Sequence, residues 1–283
     1  MKKKVLLTGV NGMLAYDFLK YLSNIFEIIW FDRKSLNITN QENIEKIISE
    51  IKPDIILNCA AYTQVDNAED EWKLLNFEIN TIWTYNLAKI SSKYNIDFIT
   101  ISTDYVFDGK KENWYNEDDK CNPINEYWMS KYLWECLALQ ENKNTIIIRT
   151  SWLYWWWKEF KNFVNTMLKL SESKNELKII NDQFWIPTYT KDLSFAIWEV
   201  IEKINIFRWK ILHFSNYSEK DVTWFDFASE IFKIANVKTS VIPCSTQEYI
   251  TKAKRPVFSK LINNSNIKLK DWKDGLKDYL NNL

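Results

Sequence analysis

Short apolar runs alternate with longer segments of helical periodicity through the first half of the chain. Val5 to Leu7 is a brief apolar run, and after T-G-V-N-G the apolar residues recur at helical spacing through Leu22. Glu27 to Phe31 predicts a second strand. D-I-I-L-N after Pro53 predicts a third, and its unbroken apolar character suits burial on both faces. Helical spacing resumes from Leu74 to Tyr94, and D-F-I-T-I-S, Asp97 to Ser102, reads as the next buried strand. A polar stretch from Asp104 to Asn125, containing Gly109 and Pro123, is long enough for a functional loop. A helix then opens near Glu126, and Thr145 to Arg149 predicts a further strand. Strands alternating with helices predict an α/β fold with a doubly wound parallel sheet of the Rossmann type. Ligands of such sheets gather at the carboxyl ends of the strands, where Ala60, Ala61, Ser102 and Thr103 stand.

The turn after the first strand has the chemistry of a phosphate cradle. Gly9 permits a tight turn, Gly12 lets the backbone approach a pyrophosphate, and Ala15 is small enough for the helix to pack on the strand. The second strand ends in Asp32, where a dinucleotide fold places an acid on the adenosine ribose. Arg33 follows and could meet a 2'-phosphate instead, so NAD and NADP stay unseparated. Residues 1–150 are therefore expected to form a dinucleotide-binding domain. Beyond Ser151 the pattern changes to helices separated by short strands, with breakers at Pro187, Pro243 and Pro256. Residues 151–283 are expected to form a smaller, mainly substrate-binding α/β domain, with some segments returning to the first.

E-Y-W-M-S-K, Glu126 to Lys131, puts Tyr127 and Lys131 four residues apart on one helical face. An ammonium near a phenol favours the phenolate. At about 4 Å and an effective dielectric of about 20 the interaction is on the order of 4 kcal/mol, or roughly three pKa units. A phenol able to exchange protons near neutral pH is thus expected.

Composition narrows the partners. The chain has 283 residues, 46% hydrophobic and 26% charged, as in a soluble globular protein. Lys plus Arg equals Asp plus Glu at 37 each, so no basic surplus points to nucleic acid or an anionic membrane. Cys59, Cys121, Cys136 and Cys244 show no C-x-x-C spacing and are expected to be buried structural thiols rather than zinc ligands or disulfides. His213 is the only histidine, which rules out a histidine-rich metal centre. The apolar run after Lys2 to Lys4 is too short for a signal peptide, so the cytoplasm is the expected location.

Several segments together resemble the extended short-chain dehydrogenase/reductases, and within them the dTDP-4-dehydrorhamnose reductases. They are T-G-V-N-G-M-L-A (8–15), P-D-I-I-L-N-C-A-A-Y-T-Q-V-D-N-A-E (53–69), S-T-D-Y-V-F-D-G (102–109), N-P-I-N-E-Y-W-M-S-K (122–131), R-T-S-W-L-Y (149–154), N-D-Q-F-W-I-P-T (181–188) and R-P-V-F-S-K-L (255–261). The resemblance implies Thr103, Tyr127 and Lys131 as the catalytic trio. It places Gly12, Met13, Leu14, Asp32, Asn37, Ile38, Ala61, Tyr62 and Thr63 around the cofactor, beside Gly9 and Arg33, and Asp104 and Trp152 at the nucleotide-sugar. Asn37 departs from the family, where Asp is common, as does Ala15 at the third turn glycine. The implied reaction is hydride transfer from NADPH or NADH to the C4 ketone of dTDP-4-dehydro-L-rhamnose. Tyr127 would give the proton, Thr103 would hydrogen-bond the carbonyl oxygen, and Lys131 would hold the nicotinamide ribose. A homodimer bridged by Mg2+ is a further implication from some relatives. Two other readings stand beside this one: another nucleotide-sugar reductase, epimerase or dehydratase on the same scaffold, and a non-catalytic subunit resembling the regulatory subunit of methionine adenosyltransferase.

One compositional feature is foreign to that family. About 7% glycine would give roughly 20 residues, yet the chain has 4 glycines and 15 tryptophans. Tryptophan stands at 83, 128, 134, 155, 157, 185 and 209, where the resembling family usually has glycine; Trp152, Trp224 and Trp272 stand where it accepts tryptophan. Large rings at turns and close approaches should overpack or strain the backbone. UGA codons meaning glycine in the source organism would explain the pattern; a divergent, inactive paralogue with a distorted cleft is the rival.

Overall fold

The apolar runs become β1 (Lys4–Thr8), β2 (Glu27–Phe31), β3 (Ile55–Asn58), β4 (Asp97–Thr103) and β5 (Thr145–Thr150) in a computed structural model describing residues 2–36, 39–70, 72–155, 162–249 and 251–283. All are parallel. A sixth strand, Lys210–His213, returns from the C-terminal half and pairs parallel with β5, so β5 is interior and β2 is the far edge. Every residue of β3 and β5 is buried, as strands covered on both faces must be. The register sets Ser102 and Thr103 beside Arg149 and Thr150, which brings four polar residues together at the carboxyl edge.

Two helical layers cover the sheet. On one face α1 (Met13–Leu22) turns Leu14, Ala15, Phe18 and Leu22 inward against Leu193, Ala196, Ile197 and Val200 of the helix Thr190–Glu202. Ala15 is fully buried, so the small residue read in the glycine turn serves close packing. On the other face lie α2 (Gln41–Ile51), α3 (Lys73–Phe77), α4 (Trp83–Lys93) and α5 (Glu126–Glu141), meeting the sheet through Ile44, Leu87, Trp134 and Ala138. The helix expected over 74–94 is not continuous: a π turn, Glu78–Ile82, joins α3 to α4. It accompanies buried polar contacts, since Asn80 Nδ2 donates to the Tyr62 carbonyl (3.2 Å) and Thr81 Oγ1 to the Ser130 carbonyl (2.9 Å).

The remaining residues build a second core of Tyr154, Trp185, Tyr189, Trp224, Phe227 and Tyr279. Pro243, expected as a breaker, lies inside a strand, Ser240–Cys244, which among the described residues pairs only with Glu176–Ile180. A two-stranded ribbon leaves an unpaired edge where a missing N–H does no harm. Cys244 is buried as expected, but Cys59 and Cys121 are half-buried and Cys136 is exposed, so general burial of the thiols is not what the structure shows. Among the described residues no helix is long and apolar enough to cross a membrane.

Arg149 on β5 and Glu135 on α5 form a buried ion pair, Nη2 to Oε2 2.7 Å, with a second bond from Nε, and 2% of each side chain exposed. His213 joins it: Nε2 lies 3.4 Å from Arg149 Nη1 and Nδ1 3.2 Å from the Tyr115 carbonyl. Burial, reinforced by Arg149, pushes the imidazole down to about 3, so the only histidine is neutral and structural. Glu135→Leu would leave a buried unpaired guanidinium, and the loss expected in urea unfolding is about 3–5 kcal/mol. A change below about 1 kcal/mol would show that the pair does not hold α5 to the sheet.

Candidate active site

A cleft of about 550 Å3 opens at the carboxyl ends of β1, β3, β4 and β5. It gathers most of the residues singled out in the sequence: Gly9, Gly12, Met13, Leu14, Asp32, Arg33, Ala61, Tyr62, Thr63, Thr103, Tyr127, Lys131 and Trp152 all line it. Asn37 and Ile38 lie outside the described residues. Asp104 does not line the cleft; it is buried next to Thr103, whose hydroxyl lies 3.0 Å from its Oδ1.

The floor near β1 fits a pyrophosphate. Gly9 adopts φ +72°, and a Cβ there would come within 2.6 Å of the Ala60 nitrogen, so only glycine allows this turn. Gly12 caps α1 with no side-chain bond, and the first turn carries no acid. The first N–H groups are thus left for an anion, which the helix dipole also favours. At the β2 end Asp32 Oδ1 accepts from the Lys34 and Ser35 nitrogens (3.0 and 2.8 Å) and from the Ser35 hydroxyl (2.6 Å). That hydroxyl, with the backbone donors, holds the carboxyl below its usual range and ionised at neutral pH. Oδ1 thereby orders the turn.

Asn125 caps α5, its Oδ1 accepting from the Trp128 nitrogen at 2.9 Å, and presents Tyr127 and Lys131 in the first two turns. The pair shares a face but not the expected electrostatics. Burial raises the Tyr127 phenol well above its ordinary value and the Asp104 carboxylate adds to the rise. The Lys131 Nζ donates to the Ile101 carbonyl (2.9 Å) and lies 5.0 Å from the Trp134 ring centroid. Desolvation therefore outweighs the expected lowering. The same burial brings Lys131 down to about 8, with Glu135 pulling it back up. Tyr127 is neutral at pH 7, the protonation state of a proton donor.

Three residues absent from the sequence reading hold the site together. Asn80 accepts from the Tyr62 nitrogen at 2.9 Å and donates to Asn76 Oδ1 at 2.7 Å. Ser130 Oγ lies 3.1 Å from the same Asn76 oxygen and 2.6 Å from the Tyr127 carbonyl. This chain of bonds couples the 61–63 loop to the helix carrying Tyr127. Two asparagines four apart on an otherwise apolar helical face are the signal that could have revealed it. Ser102 Oγ and Thr150 Oγ1 line the cleft, buried and without a protein hydrogen-bond partner, as groups meant for a ligand are.

Asp104 is pushed up to about 7 by burial, despite the hydroxyls of Ser259 and Thr103. A raised folded value means the neutral carboxyl is the stable buried form. Its contribution is complete below the ordinary value of 3.8 and is lost as pH rises through about 7. Urea unfolding from pH 4 to 8 should therefore show the parent losing stability relative to Asp104→Asn. A gap that stays constant with pH would contradict this placement.

Residues 2–283 match the family described as RmlD substrate binding domain. A dTDP-4-dehydrorhamnose reductase of Aggregatibacter actinomycetemcomitans is 35% identical, with 97% of both chains covered. The spore coat polysaccharide biosynthesis protein SpsK of Bacillus subtilis is 37% identical over 98% of this chain and 96% of its own. The crystal structure of dTDP-4-dehydrorhamnose reductase from Bacillus anthracis in complex with NADP superposes with a TM-score of 0.93 at 36% identity, covering 100% of each chain.

Proposed function

The chain belongs to the RmlD family of dTDP-4-dehydrorhamnose reductases, and on that premise we propose that it reduces the C4 ketone of dTDP-4-dehydro-L-rhamnose to dTDP-L-rhamnose with NADPH or NADH. The observation that carries this reading is one cleft lined at once by Gly9, Gly12 and Asp32 and by Thr103, Tyr127 and Lys131. The reduced nicotinamide supplies the hydride. The uncapped start of α1 and the Gly9 turn would hold the pyrophosphate, and Asp32 or Arg33 the adenosine ribose. Residues 1–150 would form the dinucleotide half, and 151–283 the greater part of the sugar-nucleotide half.

Hydride addition to a ketone leaves an alkoxide that needs a proton. Neutral, buried Tyr127 is the donor, and Thr103 stabilises the developing charge on the carbonyl oxygen by hydrogen bonding. Lys131, still mostly charged at neutral pH with a value of about 8, would hold the nicotinamide ribose on leaving the Ile101 carbonyl. Trp152 would offer its ring to the thymine base, and Asp104, buried behind Thr103, would act on the sugar-nucleotide only by orienting the Thr103 hydroxyl, 3.0 Å from its Oδ1. The resemblance also suggests a homodimer bridged by Mg2+. Among the described residues no group of three or more His, Cys, Asp or Glu is placed to hold a cation within one chain, so sedimentation with and without a chelator is the measurement for that dimer.

Tyr127→Phe should lower turnover by at least about 10²-fold while leaving NADPH affinity essentially unchanged, because it removes the proton donor and little apolar surface. Unaltered turnover in the Phe variant would refute the assignment. Asp32→Ala should weaken NADH more than NADPH, since only NADH offers a free 2'-hydroxyl; equal losses would assign Asp32 to the turn at Ser35 alone.

A further inference from the structure

The tryptophans at the doubtful positions carry physical marks that the others mostly lack. Trp83, Trp134 and Trp185 are buried, and the indole N–H of each has no hydrogen-bond partner. An indole N–H can only donate, and buried donors are nearly always paired. Trp209 has φ +59° and follows Arg208, the residue that ends the short helix Ile204–Phe207. That is the position where helices favour glycine. The residue is 65% exposed, so little burial offsets the strain, although its indole N–H donates to the Leu139 carbonyl at 3.1 Å. Asn95 and Asn236, also at positive φ, are of the type that tolerates it.

Ring packing points the same way. Tilted aromatic pairs prefer centroids about 4.5–7 Å apart. Trp128 lies 4.2 Å from Tyr105 at 67°, Trp185 lies 4.2 Å from Trp224 at 58°, and Trp152 lies 3.5 Å from Trp224 at 90°. Removing the Trp185 ring, which also lies 5.1 Å from Trp152, would give both neighbours room.

We propose that the native protein carries glycine at 83, 128, 134, 185 and 209, its gene using UGA there as a glycine codon. Trp155 bears none of these marks, since its indole donates to Asp17 at 2.8 Å; Trp157 lies outside the described residues. Trp152 shares two marks, φ +44° and an unpartnered N–H. Its crowding, however, is against Trp185 and Trp224, and loss of the Trp185 ring would relieve it, so the assignment keeps tryptophan at 152 and at 224, whose indole N–H donates to Gln183 at 3.1 Å.

The substitution bears on the site through two cations. The Trp83 ring lines the cleft 5.8 Å from the Arg33 guanidinium, and the Trp134 ring lies 5.0 Å from Lys131 Nζ. Each ring attracts its cation. With glycine at both places the cleft widens beside Arg33, and Lys131 loses the ring that draws it toward the Ile101 carbonyl. This consequence rests on the NADPH reading; the codon assignment does not.

The gene sequence and the intact mass of the protein from its source organism decide the assignment. UGA at 83, 128, 134, 185 and 209 with UGG at 152 and 224, and a mass lower by the exchange of indolylmethyl for hydrogen at each UGA, are the expected results. UGG at 134 and 185, or a mass retaining those indoles, would overturn it. Recombinant chain carrying W83G, W128G, W134G, W185G and W209G should bind NADPH at least about tenfold more tightly than the tryptophan chain. Equal affinity would overturn the claim that the rings distort the cleft.

Discussion

A buried ion pair between a helix and a strand sets the geometry of the whole site. Arg149 sits one residue from the carboxyl end of β5, and Glu135 sits two turns beyond Tyr127 on α5. Because neither charge can reach water, the fork of the guanidinium fixes where the helix lies along the strand. Tyr127 and Lys131 then face the ends of β4 and β5, beside Thr103 and Thr150. The Asn76, Asn80 and Ser130 bonds extend the constraint to the loop after β3. Tyr127, Lys131, Thr103 and the loop after β3 are thus referred to one rigid frame.

The C-terminal half contributes more than a lid. Lys210–His213 completes the sheet next to β5 and places His213 against Arg149. Farther along, Arg255 pairs with Asp66 (3.1 Å), and Asn125, the cap of α5, donates to the Lys254 carbonyl (3.2 Å). Gly109 is needed where Pro256 crosses, since a Cβ there would come within 2.3 Å of the proline ring. Residues far apart in sequence therefore close the loop around α5.

Much of this was legible in the residues, for identifiable reasons. Long apolar runs such as D-I-I-L-N and T-I-I-I-R must be buried on both faces, so the parallel sheet follows from them. The strand Lys210–His213 is four residues long and mixed in character, and only its pairing with β5 makes it a strand. Spacing put Tyr127 and Lys131 on one face but could not show how completely the phenol is buried, and it is that burial which raises it instead of lowering it. Asn80 and Ser130 act through buried contacts between separate helices, which no single helical pattern displays. Asp104 was matched by motif, yet whether it lines the cleft or lies behind Thr103 depends on the short helical turn Asp104–Val106.

The central claim is transfer of hydride to C4 of the sugar. Protein isolated from its source organism, given dTDP-4-dehydro-L-rhamnose and NADPH carrying deuterium at the transferring carbon, should yield dTDP-L-rhamnose with deuterium bound at C4. Recovery of the unreduced ketone, or of a reduced sugar with the label at another carbon or lost to solvent, would contradict the account.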